Sequence, residues 1–122
     1  MNRKAKVLVV DDDLDIREAI KVTVEPKGYI VYQANNGKEG LKLADMEAPD
    51  LVITDISMPD MDGIEFIKRL SIRKRRLPII AMSGNLIGKQ FFRAAKVFGA
   101  VETLLKPFTS KKLMETMNKA LS

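Results

Sequence analysis

Short apolar runs alternate with helically spaced apolar positions along the whole chain. Val7-Leu8-Val9-Val10 is continuous and largely β-branched, and behind it Ile16, Ala19, Ile20 and Val24 recur at helical spacing. Pro26 and Gly28 end that helix. The pattern then repeats: Tyr29 to Gln33 predicts a strand, Lys38 to Met46 a helix, Leu51-Val52-Ile53 a strand, and Ile64, Ile67 and Leu70 the inner face of a third helix. Ile79 to Met82 is the fourth strand, with Phe91, Ala94, Ala95 and Phe98 on its helix. Val101 to Leu105 is the fifth, and Leu113, Met114, Met117 and Leu121 line the last helix.

Five strand–helix units joined by short connections predict an α/β fold: a parallel sheet reached by right-handed crossovers, with helices on both faces. Strands that are apolar throughout, instead of alternating, agree with burial from both sides. No sequence motif repeats at a fixed period, and no low-complexity stretch or linker interrupts the 122 residues. Residues 1–122 are therefore expected to form one domain, with no output domain in this chain.

Composition narrows the chemistry. With 46% hydrophobic and 30% charged residues the chain has an ordinary globular make-up, and Cys and His are both absent. That excludes disulfides, thiolate metal sites, thiol nucleophiles and imidazole acid/base work, so any metal must be held by oxygen. The net charge of +5 is local, because Lys68, Arg69, Arg73, Lys74, Arg75 and Arg76 sit in one stretch without acids; removing those six leaves −1. No apolar run approaches the ~18 residues of a membrane span, and the start lacks a cleavage signal, so a cytoplasmic location with no membrane partner is expected.

In an open α/β sheet, ligands bind beyond the carboxyl ends of the strands. Strand one ends in Asp11-Asp12-Asp13, strand three in Thr54-Asp55, strand four in Ser83-Gly84 and strand five in Lys106-Pro107. If strands one and three are neighbours, Asp11, Asp12 and Asp55 converge, and at ~4 Å and an effective dielectric of ~20 each charged pair repels by about 4 kcal/mol. Such a cluster calls for a cation, and an oxygen-only donor set with few ligands favours Mg2+. Lys106 adds a compact positive charge and Ser83 a hydroxyl. Carboxylate, divalent metal, lysine and hydroxyl together suit phosphoryl transfer, with Asp55 as the nucleophile that forms an aspartyl-phosphate.

These residues fall into a recognisable pattern. Lys6-Val-Leu-Val-Val-Asp-Asp-Asp13, the run from Pro49 to Gly63, Pro78-Ile-Ile-Ala-Met-Ser83 and Leu105-Lys-Pro-Phe108 resemble, in order and over nearly the whole chain, the receiver domain of two-component response regulators. The resemblance implies a flavodoxin-like (βα)5 fold with strand order 2-1-3-4-5. It implies that Asp55 accepts a phosphoryl group from a phosphohistidine on a histidine kinase or histidine phosphotransfer protein. Asp12 would bind Mg2+ directly, Asp11 mainly through water, and Asp55 and the Ser57 backbone carbonyl would complete the protein ligands. Ser83 and Lys106 would engage the phosphoryl oxygens, the Lys106–Pro107 bond would be cis, and Met58-Pro59 and Gly63 would shape the loop after Asp55. Ser57 and Asn85 stand where the family tunes phosphoryl lifetime. One position departs: Thr103 stands where the family usually has Tyr or Phe in strand five, and Thr has no ring to move between two pockets, so weakened coupling to the output face is expected.

Each piece alone has a plainer explanation. An acidic run after a strand is usually a solvated turn with helix N-terminal charges, a lone Ser is often a cap, and Lys-Pro often ends a strand. Their coincidence on four strand ends is what favours function, while Asp13, Asp60 and Asp62 are assigned to capping or loop charge. An Mg2+-dependent phosphohydrolase of the haloacid dehalogenase type would need an acid/base Asp two positions after the nucleophile, where Ser57 stands. A nucleic-acid binder would rest on the Lys68–Arg76 run alone, which is expected at the pole opposite the acidic pocket as a solvated face, or else as a docking patch for an acidic partner. Most Met and Phe residues are assigned to packing; Phe91 and Phe92 are adjacent on a helix, so one is expected on a partner-facing surface. The expectation is a switch or relay, not a stand-alone enzyme, acting as a monomer or weak dimer.

Overall fold

A computed structural model describes residues 4–57, 62–84 and 90–122. Its elements run β1 (Lys6–Val10), α1 (Leu14–Val24), β2 (Ile30–Ala34), α2 (Gly37–Glu47), β3 (Leu51–Asp55), α3 (Gly63–Arg73), β4 (Ile79–Ser83), α4 (Phe92–Phe98), β5 (Glu102–Leu105) and α5 (Ser110–Leu121). A single 3-10 turn, Glu25–Lys27, follows α1, with Pro26 inside it and Gly28 closing it at a φ of 100°. All strand pairs are parallel and the order is β2-β1-β3-β4-β5, as the resemblance implied.

The double burial expected of all-apolar strands follows from the pleat, which sends successive side chains to opposite faces. Leu8, Val10, Val52, Ile79 and Ala81 face Phe66, Ile67 and Leu70 of α3 with Ala44 of α2 and Ala95 of α4. Val7, Val9, Leu51, Ile53, Ile80, Met82 and Leu104 face Ile20 and Val24 of α1 with Leu113 and Met117 of α5. Sequence-local caps fix where four of the helices begin: Asp13, Asn36, Asp62 and Thr109 each accept a backbone N–H from their own first turn. Asp13 and Asp62 thus take the capping role expected of them.

Three expectations need correction. β2 and β5 each begin one residue later than Tyr29 and Val101. In α4 Ala95 is buried and Phe92 half-buried against the core, whereas Phe91 and Phe98 are exposed, because the helix is only 7 residues long and starts after Phe91. Leu121 does not line the core either; it lies exposed at the last residue of α5. No helix among the described residues is long and apolar enough to cross a membrane.

Candidate functional site

The strand order makes β1 and β3 neighbours, with Val10 opposite Thr54, so the residues after them emerge side by side. Hydrogen bonds carry the sheet one residue further: Asp11 N–H donates to Ala34 O at 3.1 Å, Ile56 N–H to Met82 O at 2.9 Å, and Lys106 N–H to Ser83 O at 2.8 Å. Asp11, Asp55, Ser83 and Lys106 therefore stand on strand ends held by the most buried part of the fold. Asp11 is wholly buried, Asp55 is 7% exposed and Ser83 4%, while Asp12 faces solvent at the rim.

Lys106 binds the cluster together. Its Nζ donates to Asp11 Oδ2 at 2.7 Å and lies 3.1 Å from Asp55 Oδ1. The other Asp11 oxygen accepts the Asp13 N–H at 3.0 Å. One Lys does not balance the acids. Burial pushes the Asp55 carboxyl up to about 6, with the Asp11 charge adding to the rise and Lys106 opposing it. Burial likewise raises Asp11, against the pull of Lys106. For Lys106, burial alone would favour the neutral amine, but the Asp11 hydrogen bond and the Asp55 and Asp11 charges outweigh it and hold the ammonium more firmly than usual.

Asp11, Asp12 and Asp55 each offer a carboxylate oxygen, and these oxygens lie within 4.8 Å of one another. Three hard anionic oxygens with unfavourable ionisation in the buried members fit a small divalent cation and no soft one. Ser57 follows Asp55 by two positions on the exposed side. Gly63 explains how that loop returns: a Cβ there would sit well inside van der Waals contact of the Asp55 carbonyl oxygen and Ile56 Cα, so only glycine lets α3 start against the end of β3. The Lys106–Pro107 bond is cis, as the resemblance implied. Thr103 is half-buried on β5 opposite Ala81 of β4, a small residue facing a small one. Met58, Pro59, Asp60 and Asn85 lie outside the described residues.

One contributor escaped the sequence reading. Arg17, in the first turn of α1, donates from Nη1 to the Asp11 backbone carbonyl at 2.7 Å and from Nε to Gln33 Oε1 at 2.9 Å. It ties the β1–α1 loop to the end of β2 while leaving the carboxylate oxygens open. The available signal was a cation in a helical first turn, where the helix dipole disfavours one. At the other pole, the Lys68–Arg76 run is partly paired instead of simply solvated: Arg69 bonds Glu65 at 2.8 Å, and Arg73 and Lys74 both approach Asp45.

Comparison with known proteins gives a consistent result. A family model described as the response regulator receiver domain matches residues 7–118. The chain is 34% identical over 118 residues to sporulation initiation phosphotransferase F of Bacillus subtilis, covering 95% of this chain and 93% of that protein. It is 35% identical to the alkaline phosphatase synthesis transcriptional regulatory protein PhoP of the same organism, but spans only 46% of its length. Among solved structures, the chemotaxis response regulator CheY4 of Vibrio cholerae is 33% identical, with a TM-score of 0.90 over 98% of this chain and 100% of that one.

Proposed function

The chain belongs to the response regulator receiver domain family of two-component signalling, and on that premise we propose that Asp55 is its phosphoacceptor and that residues 1–122 work as one phosphorylation-dependent switch or relay. A receiver domain implies a histidine kinase or histidine phosphotransfer protein as donor. In the transfer, an Asp55 carboxylate oxygen forms a bond to phosphorus as the bond from phosphorus to the donor imidazole nitrogen breaks, and the imidazole leaves with a proton. Lys106, already 3.1 Å from Asp55 Oδ1, shifts its hydrogen bonding to a phosphoryl oxygen, and the Ser83 hydroxyl donates to another. Asp12 and Asp55 directly, Asp11 mainly through water, and the Ser57 carbonyl would hold Mg2+, which when bound would supply positive charge against the phosphoryl oxygens. The chain catalyses its own phosphorylation and dephosphorylation and otherwise acts by altered partner binding, in the cytoplasm, as a monomer or weak dimer.

The observation that carries this reading is the meeting of Lys106 Nζ with both Asp11 and Asp55 at the carboxyl ends of three strands. Intact mass after incubation with acetyl phosphate and Mg2+ tests it. One added phosphoryl group on the wild type and none on Asp55→Asn is the expected result. An adduct retained by Asp55→Asn, or none from either acetyl phosphate or a phosphohistidine donor, overturns it.

A further inference from the structure

The pole opposite the acidic pocket carries a feature that neither the fold nor phosphoryl transfer uses. Leu77 N–H donates to Lys74 O at 3.1 Å, closing a turn after α3 whose two corner residues are Arg75 and Arg76. A turn of this kind accepts most residue types at its corners and does not call for arginine. Both arginines are exposed, and among the described residues neither side chain has an ion-pair or hydrogen-bond partner, whereas Arg69, Arg73 and Lys74 nearby are paired with Glu65 or Asp45. Two adjacent like charges on one turn repel one another.

Their surroundings indicate what they could bind. The turn forms a wall between two clefts, and both arginines line both. One cleft is walled by Ala44, Ala48, Pro49, Leu77 and Pro78. The other is walled by Ser71, Gly99, Val101, Ala120 and Leu121. Asp50 also lines both, but one of its oxygens accepts the Lys6 backbone N–H at 2.8 Å. Val101 and Leu121, which line the second cleft, are exposed apolar side chains.

We propose that this turn and its two clefts form a docking site for an acidic polypeptide segment of a partner protein, with carboxylates on Arg75 and Arg76 and apolar side chains in the flanking clefts. Guanidinium forks match carboxylates in two-point contacts. Nucleic acid fits less well, because no aromatic ring lines either cleft to stack a base. A flat anionic bilayer would not reach into paired clefts. The site lies at the opposite ends of the strands from Asp55, so occupation of one leaves the other accessible.

The test is an NMR titration of the whole chain with a peptide of alternating Glu and Leu, against a single-stranded oligonucleotide of equal charge and anionic phosphatidylserine vesicles. Peptide-induced amide shifts should centre on residues 74–78, 48–50 and 99–101. Arg75→Gln/Arg76→Gln should weaken peptide binding at least tenfold while leaving acetyl phosphate labelling and Tm unchanged. Lys38→Gln/Lys42→Gln, an equal charge loss on α2, should leave it within twofold. The proposal fails if the peptide does not bind, if both double variants weaken it equally, or if the oligonucleotide or the vesicles bind more tightly through Arg75 and Arg76.

Discussion

Asp55→Asn should make the protein more stable at neutral and alkaline pH, by an amount that grows with pH. The native carboxyl titrates at about 6 against an ordinary value of 3.8. Between those values the native state binds more protons than the unfolded chain, so stability falls as pH rises through the interval. The full displacement corresponds to about 3 kcal/mol at roughly 1.36 kcal/mol per unit, already net of the help from Lys106. Asn mimics the protonated form in shape and its Oδ1 still accepts from Lys106, so the variant escapes this penalty. Near pH 4 the two proteins should agree to within about 0.5 kcal/mol, and by pH 8 the variant should lead by about 2–3 kcal/mol. With an unfolding entropy of about 2.1 cal/mol/K per residue, that is about 10 °C in Tm for a chain of this size. The assay is urea and thermal unfolding across pH 4–8.5 with chelator present. Adding Mg2+ at 100 times its dissociation constant should then raise the wild type by about 2.7 kcal/mol and the variant by much less, closing the gap. A variant less stable than wild type at pH 8, or a difference flat with pH, would refute the repulsive-cluster reasoning.

Lys106→Met leaves Asp11 and Asp55 without their shared cation. Asp55 should then titrate above its present value of about 6 by carboxyl NMR, and stability at pH 8 should drop by about 3 kcal/mol with little change near pH 4. Gly63→Ala forces a methyl group into the Asp55–Ile56 backbone; urea unfolding should show a loss of at least about 2 kcal/mol, and acetyl phosphate labelling should slow as the end of β3 is displaced. For Thr103, half-buried opposite Ala81, phosphorylation should leave the amide shifts of α4, β5 and α5 little changed, and large shifts there would show a coupling route that needs no ring.

The central strands were legible because burial on both faces keeps their runs apolar: every residue from Val7 to Val10 and from Leu51 to Ile53 is a buried hydrophobic. The order 2-1-3-4-5 was not readable from periodicity, which is blind to which strands pair; it came with the family resemblance. α4 was misread because a 7-residue helix presents fewer than two full apolar repeats, too few to separate Phe92 from Phe91 and Phe98 as the inward residue. Asp11, Asp55 and Lys106 could be named from their strand-end positions. Their mutual contact spans 95 residues between Asp11 and Lys106 and depends on the sheet. Arg17 stayed hidden because its acceptors are a backbone carbonyl and a glutamine on β2, and neither has a charge signature.

The same contacts explain why a destabilising cluster can persist at the centre of the molecule. Two buried acids and one lysine at the strand ends, with Asp12 at the rim, break the rule that buried charges should balance, and the raised Asp11 and Asp55 carboxyls record the strain. Two complete apolar layers, one on each side of the sheet, supply stability independent of the site. Arg17 adds positive charge beside the acids yet directs its hydrogen bonds to neutral acceptors, so it fixes the Asp11 backbone without occupying a carboxylate. Lys106 does occupy two of them, but through a single flexible ammonium that can exchange one acceptor for another at little cost. A bidentate arginine in its place would hold the acids more tightly and would obstruct both a cation and a phosphoryl group. The cluster is thus left with excess negative charge of the kind a divalent ion relieves, and with a mobile cation already placed where new phosphoryl oxygens would appear.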